Sequence, residues 1–301
     1  MTNSGRPTKN EKRDHAREQA RVFREKQQAQ QRRRRRFWQA GVSVVIVAVV
    51  AVVAVVIVNQ NHNANVQAAK QTAAGPKNMI SDGILLSGSN GKITAVTSSA
   101  VAAKGKPTAT NISTYTGKAN IREYIDFQCP YCDQFESTNL DNINKWVAAG
   151  KATVEIHPIS FLDANSSGNR YSSRAANASA CVAQYAPNDF LAVVKTLYKN
   201  QPAEGGTGMS NDKLISLLSG AGASSDNITA CIKGEQFKTW VTAATARANI
   251  AVFGGTVDNS KISTPTVFVN NQQWSPTTAT SLTNAAEFSA FVDQVVPGTT
   301  S

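Results

Sequence analysis

The sequence predicts an α/β domain with a helical insertion, carried behind one membrane-spanning helix. Three observations predict it. Residues 37–58 form a 22-residue segment without charge that ends in an unbroken apolar run from Val44 to Val58. After it, period-2 and helical patterns alternate in the order strand, helix, strand, a block of helices, two strands, helix. The pair Cys129-Pro130-Tyr131-Cys132 stands between the first long strand pattern and the first long helix.

The chain carries a formal charge of +11, but the charge is local. Residues 1–36 hold 13 Lys or Arg against 4 Asp or Glu, and residues 59–301 hold 18 against 16. The basic character therefore belongs to a short arm, and the main domain is not a nucleic-acid binder on charge grounds. A helix of 22 residues spans about 33 Å at 1.5 Å per residue, against about 30 Å of bilayer hydrocarbon. Valine-rich sequence is a poor helix former in water, but lipid offers the backbone no competing partner. Trp38 sits at the interface, Arg32 to Arg36 precede the span, and a neutral flank follows it. The positive-inside rule puts the arm in the cytoplasm and the large domain outside, with the lipid bilayer as a partner. A cleaved signal peptide is the alternative; its apolar region would be shorter, about 7–15 residues.

Residues 59–78, rich in Asn, Gln and Ala, are expected to be a tether, and 79–297 the folded domain. Residues 83–86 and 92–96 flank Ser87-Gly88-Ser89-Asn90-Gly91 as a hairpin, and 104–116 is irregular. A strand runs to Phe127. The helix after the cysteine pair extends to about Ala149, with Phe135, Ile143, Trp146 and Val147 inward and Gly150 at its C-terminal cap. Residues 152–159 form the next strand. The insertion, about 166–250, carries helical spacing over 171–184, 188–198, 211–218 and 236–250, with Ser210 capping the third. Gly254-Gly255 ends that run. Residues 266–269 and a strand beginning at Gln273-Trp274 enclose the turn Asn270-Asn271, and 281–295 is the last helix. No internal repeat is visible.

The chemistry rests on the cysteines. A thiol at a helix N-terminus meets unpaired N–H groups and the positive end of the helix dipole, which lowers its pKa and makes it a nucleophile and a good leaving group. A C-x-x-C is also half of a zinc site, but Cys181 and Cys231 stand 50 positions apart and form no second close pair, so no metal is expected. His157 lies on a strand before Pro158 and is read as structural.

Two segments together, Asp126-Phe127-Gln128-Cys129-Pro130-Tyr131-Cys132 and Thr264-Pro265-Thr266-Val267-Phe268-Val269, with a helical block between, resemble the DsbA-like branch of the thioredoxin superfamily. The resemblance covers residues 79–297, and the anchor and extra cysteine pair are similar to actinobacterial members. It implies a thioredoxin fold and a protein thiol–disulfide oxidase without a cofactor. The implied partners are exported cysteine-containing proteins and a membrane reoxidation partner of the DsbB or VKOR type. Carried over, Cys129 is the exposed nucleophilic sulfur and Cys132 the buried resolving one. Pro130, Tyr131, Thr264 and Pro265 are assigned to substrate binding, and the Thr264–Pro265 bond is expected to be cis. Glu123, six residues before Cys129, matches a buried acid that tunes the pair and moves protons; a carboxylate at a strand end facing water is the alternative. The dipeptide Pro130-Tyr131 departs from the Pro-His of strong oxidases and matches glutaredoxins, which lack an anchor and a long insertion. With one pair assigned to catalysis, Cys181 and Cys231 are left for a structural disulfide, the alternative being two separate buried thiols. A reductase or isomerase, and a non-catalytic thioredoxin-fold module, are the competing functions.

Overall fold

The computed structural model describes residues 74–250 and 262–300, apart from 277 and 279. The predicted arm, the span at 37–58, most of the tether and Gly254-Gly255 lie outside the described residues. Among the described residues no helix is long and apolar enough to cross a membrane.

Six strands form one sheet: β1 Ile84–Ser89, β2 Lys92–Ala95, β3 Ala119–Ile125, β4 Ala152–Pro158, β5 Thr266–Val269 and β6 Gln272–Trp274. Their order is β2-β1-β4-β3-β5-β6. β3 and β4 are parallel, joined by the crossover helix α1, Pro130–Ala148; the other pairs are antiparallel. The remaining helices are α2 Tyr171–Tyr185, α3 Phe190–Lys199, α4 Asn211–Gly220, α5 Asp226–Lys233, α6 Lys238–Ile250 and α7 Ala285–Val295. This is the mixed α/β thioredoxin-like fold with a helical insertion.

Local chemistry explains the boundaries that matter. Pro130 opens α1, where a missing N–H costs nothing. At the other end Gly150 has φ +76°, its N–H bonds Val147 O, and Lys151 N–H bonds Trp146 O, a Schellman closure. Asn270 and Asn271 both have positive φ, the two-residue turn that suits the twist of β5 and β6. Ser210 caps α4 by accepting from Lys213 N–H, as expected.

Three elements differ from the reading of the sequence. α5 is an additional helix, capped by Ser225 and only eight residues long, too short for its apolar spacing to stand out. Residues 187–189 form a 3₁₀ turn before α3. The last helix is divided at Asn284, whose extended backbone separates a 3₁₀ turn, Ser281–Thr283, from α7. Packing also begins before Met79. Gly75 and Pro76 are buried, and a Cβ at Gly75 would come within 2.7 Å of the Trp240 indole nitrogen.

The core lies between the sheet and α1, α7 and the insertion. Phe135 of α1, Trp274 of β6 and Phe288 of α7 meet with ring centroids 5.0–5.4 Å apart. Phe135, Ile143, Trp146 and Val147 point inward as expected, joined by Cys132, Glu136, Asn139 and Leu140 on the same stripe. In the insertion Cys181 of α2 is bonded to Cys231 of α5, with Cα atoms 5.9 Å apart. The alternative of two separate thiols does not hold.

Candidate redox site

β3 delivers the chain into the site. After Ile125 the backbone leaves the sheet through Asp126, Phe127 and Gln128, and Cys129 becomes the N-cap of α1 in an extended conformation. Asp133 N–H bonds the Cys129 carbonyl at 3.2 Å, the first turn of the helix. The sulfurs of Cys129 and Cys132 are unbridged, so this is the dithiol form.

The two cysteines are electrostatically unequal. The Cys132 thiol, hydrogen-bonded to the Cys129 sulfur, holds Cys129 below the ordinary thiol range, with burial working against it. Burial pushes Cys132 well above that range, and the hydrogen bond to Cys129 adds to the effect. The two shifts run in opposite directions, toward the thiolate at Cys129 and toward the thiol at Cys132. The expectation of an exposed Cys129 needs correction: the residue is 4% exposed. The turn at β5 covers it, since Cys129 Sγ lies 3.3 Å from the Thr264 carbonyl oxygen. The open part of the motif is Tyr131, 56% exposed, while Pro130, Thr264 and Pro265 are half-buried. The Thr264–Pro265 bond is cis.

Glu123 is fully buried on β3, which settles its side of the strand. Opposite it stands a residue that reading the sequence did not single out, Glu136 of α1, 2% exposed. Four positions separate Glu136 from Cys132, so both lie on one helix face. Burial raises Glu123 to about 7, and burial together with the Glu123 charge raises Glu136 well above the usual carboxylate range. None of the four carboxyl oxygens meets a donor from elsewhere in the described structure. Two ionised carboxylates have only acceptors to offer each other; one proton between them supplies the donor that both lack. A glutamate on the apolar stripe between Phe135 and Leu140 was the signal available for it.

The approach to the motif is fastened to the insertion and to the loop before it. Asp126 accepts from Gln128 N–H and Leu162 N–H, both at 2.9 Å, and from Ser172 Oγ of α2 at 2.7 and 2.8 Å. Burial raises its carboxyl to about 6, with those hydrogen bonds working the other way. Tyr198 Oη of α3 donates to Asp126 O at 3.2 Å, and its ring packs on Phe127. Ser166 Oγ donates to Gln128 Oε1 at 2.6 Å, and Gln128 Nε2 donates to Asn165 O. Asp126 and Gln128 belong to the segment that carried the resemblance, but their partners outside that segment stand 36 or more positions away and leave no local trace.

His157 takes a structural place, buried and stacked on Tyr124 at 4.5 Å. Among the described residues no cluster of His, Cys, Asp and Glu is arranged to hold a metal ion.

A paired thiol at a helix N-terminus, opposite a proline-led strand of a mixed sheet, defines a dithiol protein of the thioredoxin fold. Comparison with known proteins agrees. A family model described as Thioredoxin matches residues 114–294, more than half of the chain. The chain belongs to that thioredoxin family. Reduced DsbA from Mycobacterium tuberculosis is 27% identical, with a TM-score of 0.52 over 72% of this chain and 95% of its own. The reduced disulfide bond oxidoreductase DsbG from the same organism is 30% identical over 60% of this chain and 81% of its own, with a TM-score of 0.49. Oxidised BdbD from Bacillus subtilis, 16% identical with a TM-score of 0.51 over 76% of this chain and all of its own, shares the fold. A search of curated proteins finds no match. The chain is a protein thiol–disulfide oxidoreductase.

Proposed function

We propose that this enzyme works in the oxidising direction, as a membrane-tethered catalyst that introduces disulfides into exported proteins. The observation that carries the reading is the inequality of the two sulfurs. A stabilised Cys129 thiolate lowers the energy of the reduced enzyme and so makes its disulfide a stronger oxidant. In the cycle a substrate thiolate attacks Cys129 Sγ of the Cys129–Cys132 disulfide. The Cys129–Cys132 bond breaks, and Cys132 leaves with the electron pair and takes up a proton. The Glu123–Glu136 pair, on the Cys132 face of α1, is the buried source of that proton. A second substrate thiolate then attacks the substrate sulfur of the mixed disulfide and Cys129 leaves as thiolate. The substrate is oxidised by two electrons and the enzyme reduced by two. Pro130, Tyr131, Thr264 and Pro265 frame the groove in which the substrate backbone lies.

The apolar segment 37–58 and the arginines before it support the tether and an extracytoplasmic domain. Reoxidation by a membrane partner of the DsbB or VKOR type completes the proposal; nucleic acid has no part in it. The test is oxidative refolding of a reduced, cysteine-containing exported protein by the full-length chain. Cys129→Ser should abolish catalysis, and Cys132→Ser should accumulate mixed disulfides with the substrate. Unchanged refolding by Cys129→Ser would overturn the assignment. A redox titration that places the pair among reductants would overturn the direction.

A further inference from the structure

One side chain outside the motif touches the redox loop twice. Gln201, just past the end of α3, points its Nε2 at Phe127 O, 3.1 Å away, and at Cys129 O, 3.0 Å away. Both hydrogens of one amide nitrogen therefore end on the carbonyls that bracket Gln128. Phe127 is fully buried, and among the described residues Gln201 is the hydrogen-bond partner of its carbonyl. The Cys129 carbonyl accepts from Asp133 N–H and from Gln201, which fills both of its lone pairs.

We propose that Gln201 is a positioning residue for the redox pair: from the insertion it fixes the peptide groups on either side of Gln128 and so holds the Cys129 sulfur at the N-terminus of α1. The orientation of the Cys129 carbonyl determines where the first-turn N–H groups point relative to the sulfur. The N–H dipoles of Gln201 also place their positive ends on the sulfur's own residue. Both effects favour the thiolate, and with it the reduced enzyme. The proposal rests on reading Cys129 as the attacking sulfur.

The experiment uses the purified full-length chain and two readouts: thiolate ultraviolet absorbance against pH, and the equilibrium of the cysteine pair with glutathione. Gln201→Ala should raise the thiolate midpoint and move the equilibrium toward the disulfide by about five-fold, the size of one neutral hydrogen bond. Gln201→Glu should move both further in the same direction, because it sets a carboxylate against two carbonyls and a thiolate. Gln201→Met, which keeps the bulk and loses the donor, should reproduce Gln201→Ala and serves if that variant does not fold. Leu218→Ala hollows the buried side of α4 without removing a bond to the loop. It should lower the melting temperature and leave the thiolate midpoint unchanged. Wild-type values in Gln201→Ala and Gln201→Met, or an equal shift in Leu218→Ala, would overturn the positioning role. A wild-type chain with no thiolate transition below the ordinary thiol range would instead remove the reading of Cys129, and the proposal with it.

Discussion

The two faces of the β3–β4 pair each bury glutamate, and the carboxyl groups end in opposite states. On the α1 face Glu123 meets another carboxyl, Glu136, and both are pushed up. On the other face Glu155 lies beside Arg122 in register across the parallel pair. It accepts from Arg122 Nε at 3.2 Å, from Ser81 Oγ at 2.5 Å and from Thr110 Oγ1 at 2.7 Å, with His157 Nε2 3.6 Å away. Burial works against its charge as it does for Glu123. His157 first, then Arg122 and Ser81, nevertheless hold it well below the usual carboxylate range. Burial alone therefore does not determine what a carboxyl group does; its partners do. The fully partnered group is a structural tie between β4, β3 and the N-terminal segment. The pair without outside donors is the one suited to share a proton, and its Glu136 lies on the helix that carries Cys132.

The sharpest way to break this contrast is to remove the cation. Arg122→Ala leaves Glu155 charged and buried without its guanidinium, and unfolding experiments should show a loss of roughly 3–5 kcal/mol. The refolding activity of the molecules that remain folded should be retained, since the tie lies on the face away from α1.

A control of similar size without charge is the insertion disulfide. Replacing Cys181 and Cys231 by Ala should cost at most ~4 kcal/mol, the chain-entropy value for a loop of this length. Melting curves at several pH values should then drop in parallel, whereas Arg122→Ala should change their shape at acid pH.

The smallest effect concerns the unpartnered pair. The folded pKa of Glu123 is raised from 4.5 to about 7, so the folded state binds more protons across that window. The stability it contributes is complete below pH 4.5 and is lost as the pH rises to about 7. Glu155 runs the other way: its depressed folded pKa contributes stability above the unfolded value, lost as the pH falls. Glu123→Gln should flatten the loss between pH 4.5 and 7 and raise stability at pH 8 by up to ~3 kcal/mol. A slower release of Cys132 in stopped-flow reduction should accompany the gain. A pH–stability curve identical to that of the wild type would mean that the two carboxyls do not share a proton.

The sequence makes one half of this site legible. A cysteine pair at the start of a helix and a proline ahead of a strand are local patterns, and the place of Glu123 between Ile121 and Ile125 fits burial by strand alternation while leaving a water-facing strand end as the alternative. Cys181 and Cys231 pair by elimination once Cys129 and Cys132 are assigned to the chemistry. What stays hidden is long-range. Glu136 carries a charge on an apolar stripe, but its meaning depends on which strand residue faces it. Gln201 and Tyr198 act through carbonyls 72 to 74 positions away, and the identity of the acceptor residue does not affect a bond to its main chain. α5 was obscured by its length: eight residues give two turns, too few for a period to emerge.

The insertion disulfide encloses α3, α4 and Gln201, so Tyr198 and Gln201, which bond the redox loop, lie inside a covalent ring closed by Cys181 and Cys231. Under the export and the oxidising direction proposed above, each new copy would itself be a substrate for oxidation before it is a catalyst. On that proposal it begins with four thiols, forming one bond, Cys181–Cys231, for its scaffold and trading another, Cys129–Cys132, with its substrates. The chain's own maturation would then be one of the reactions it is proposed to catalyse.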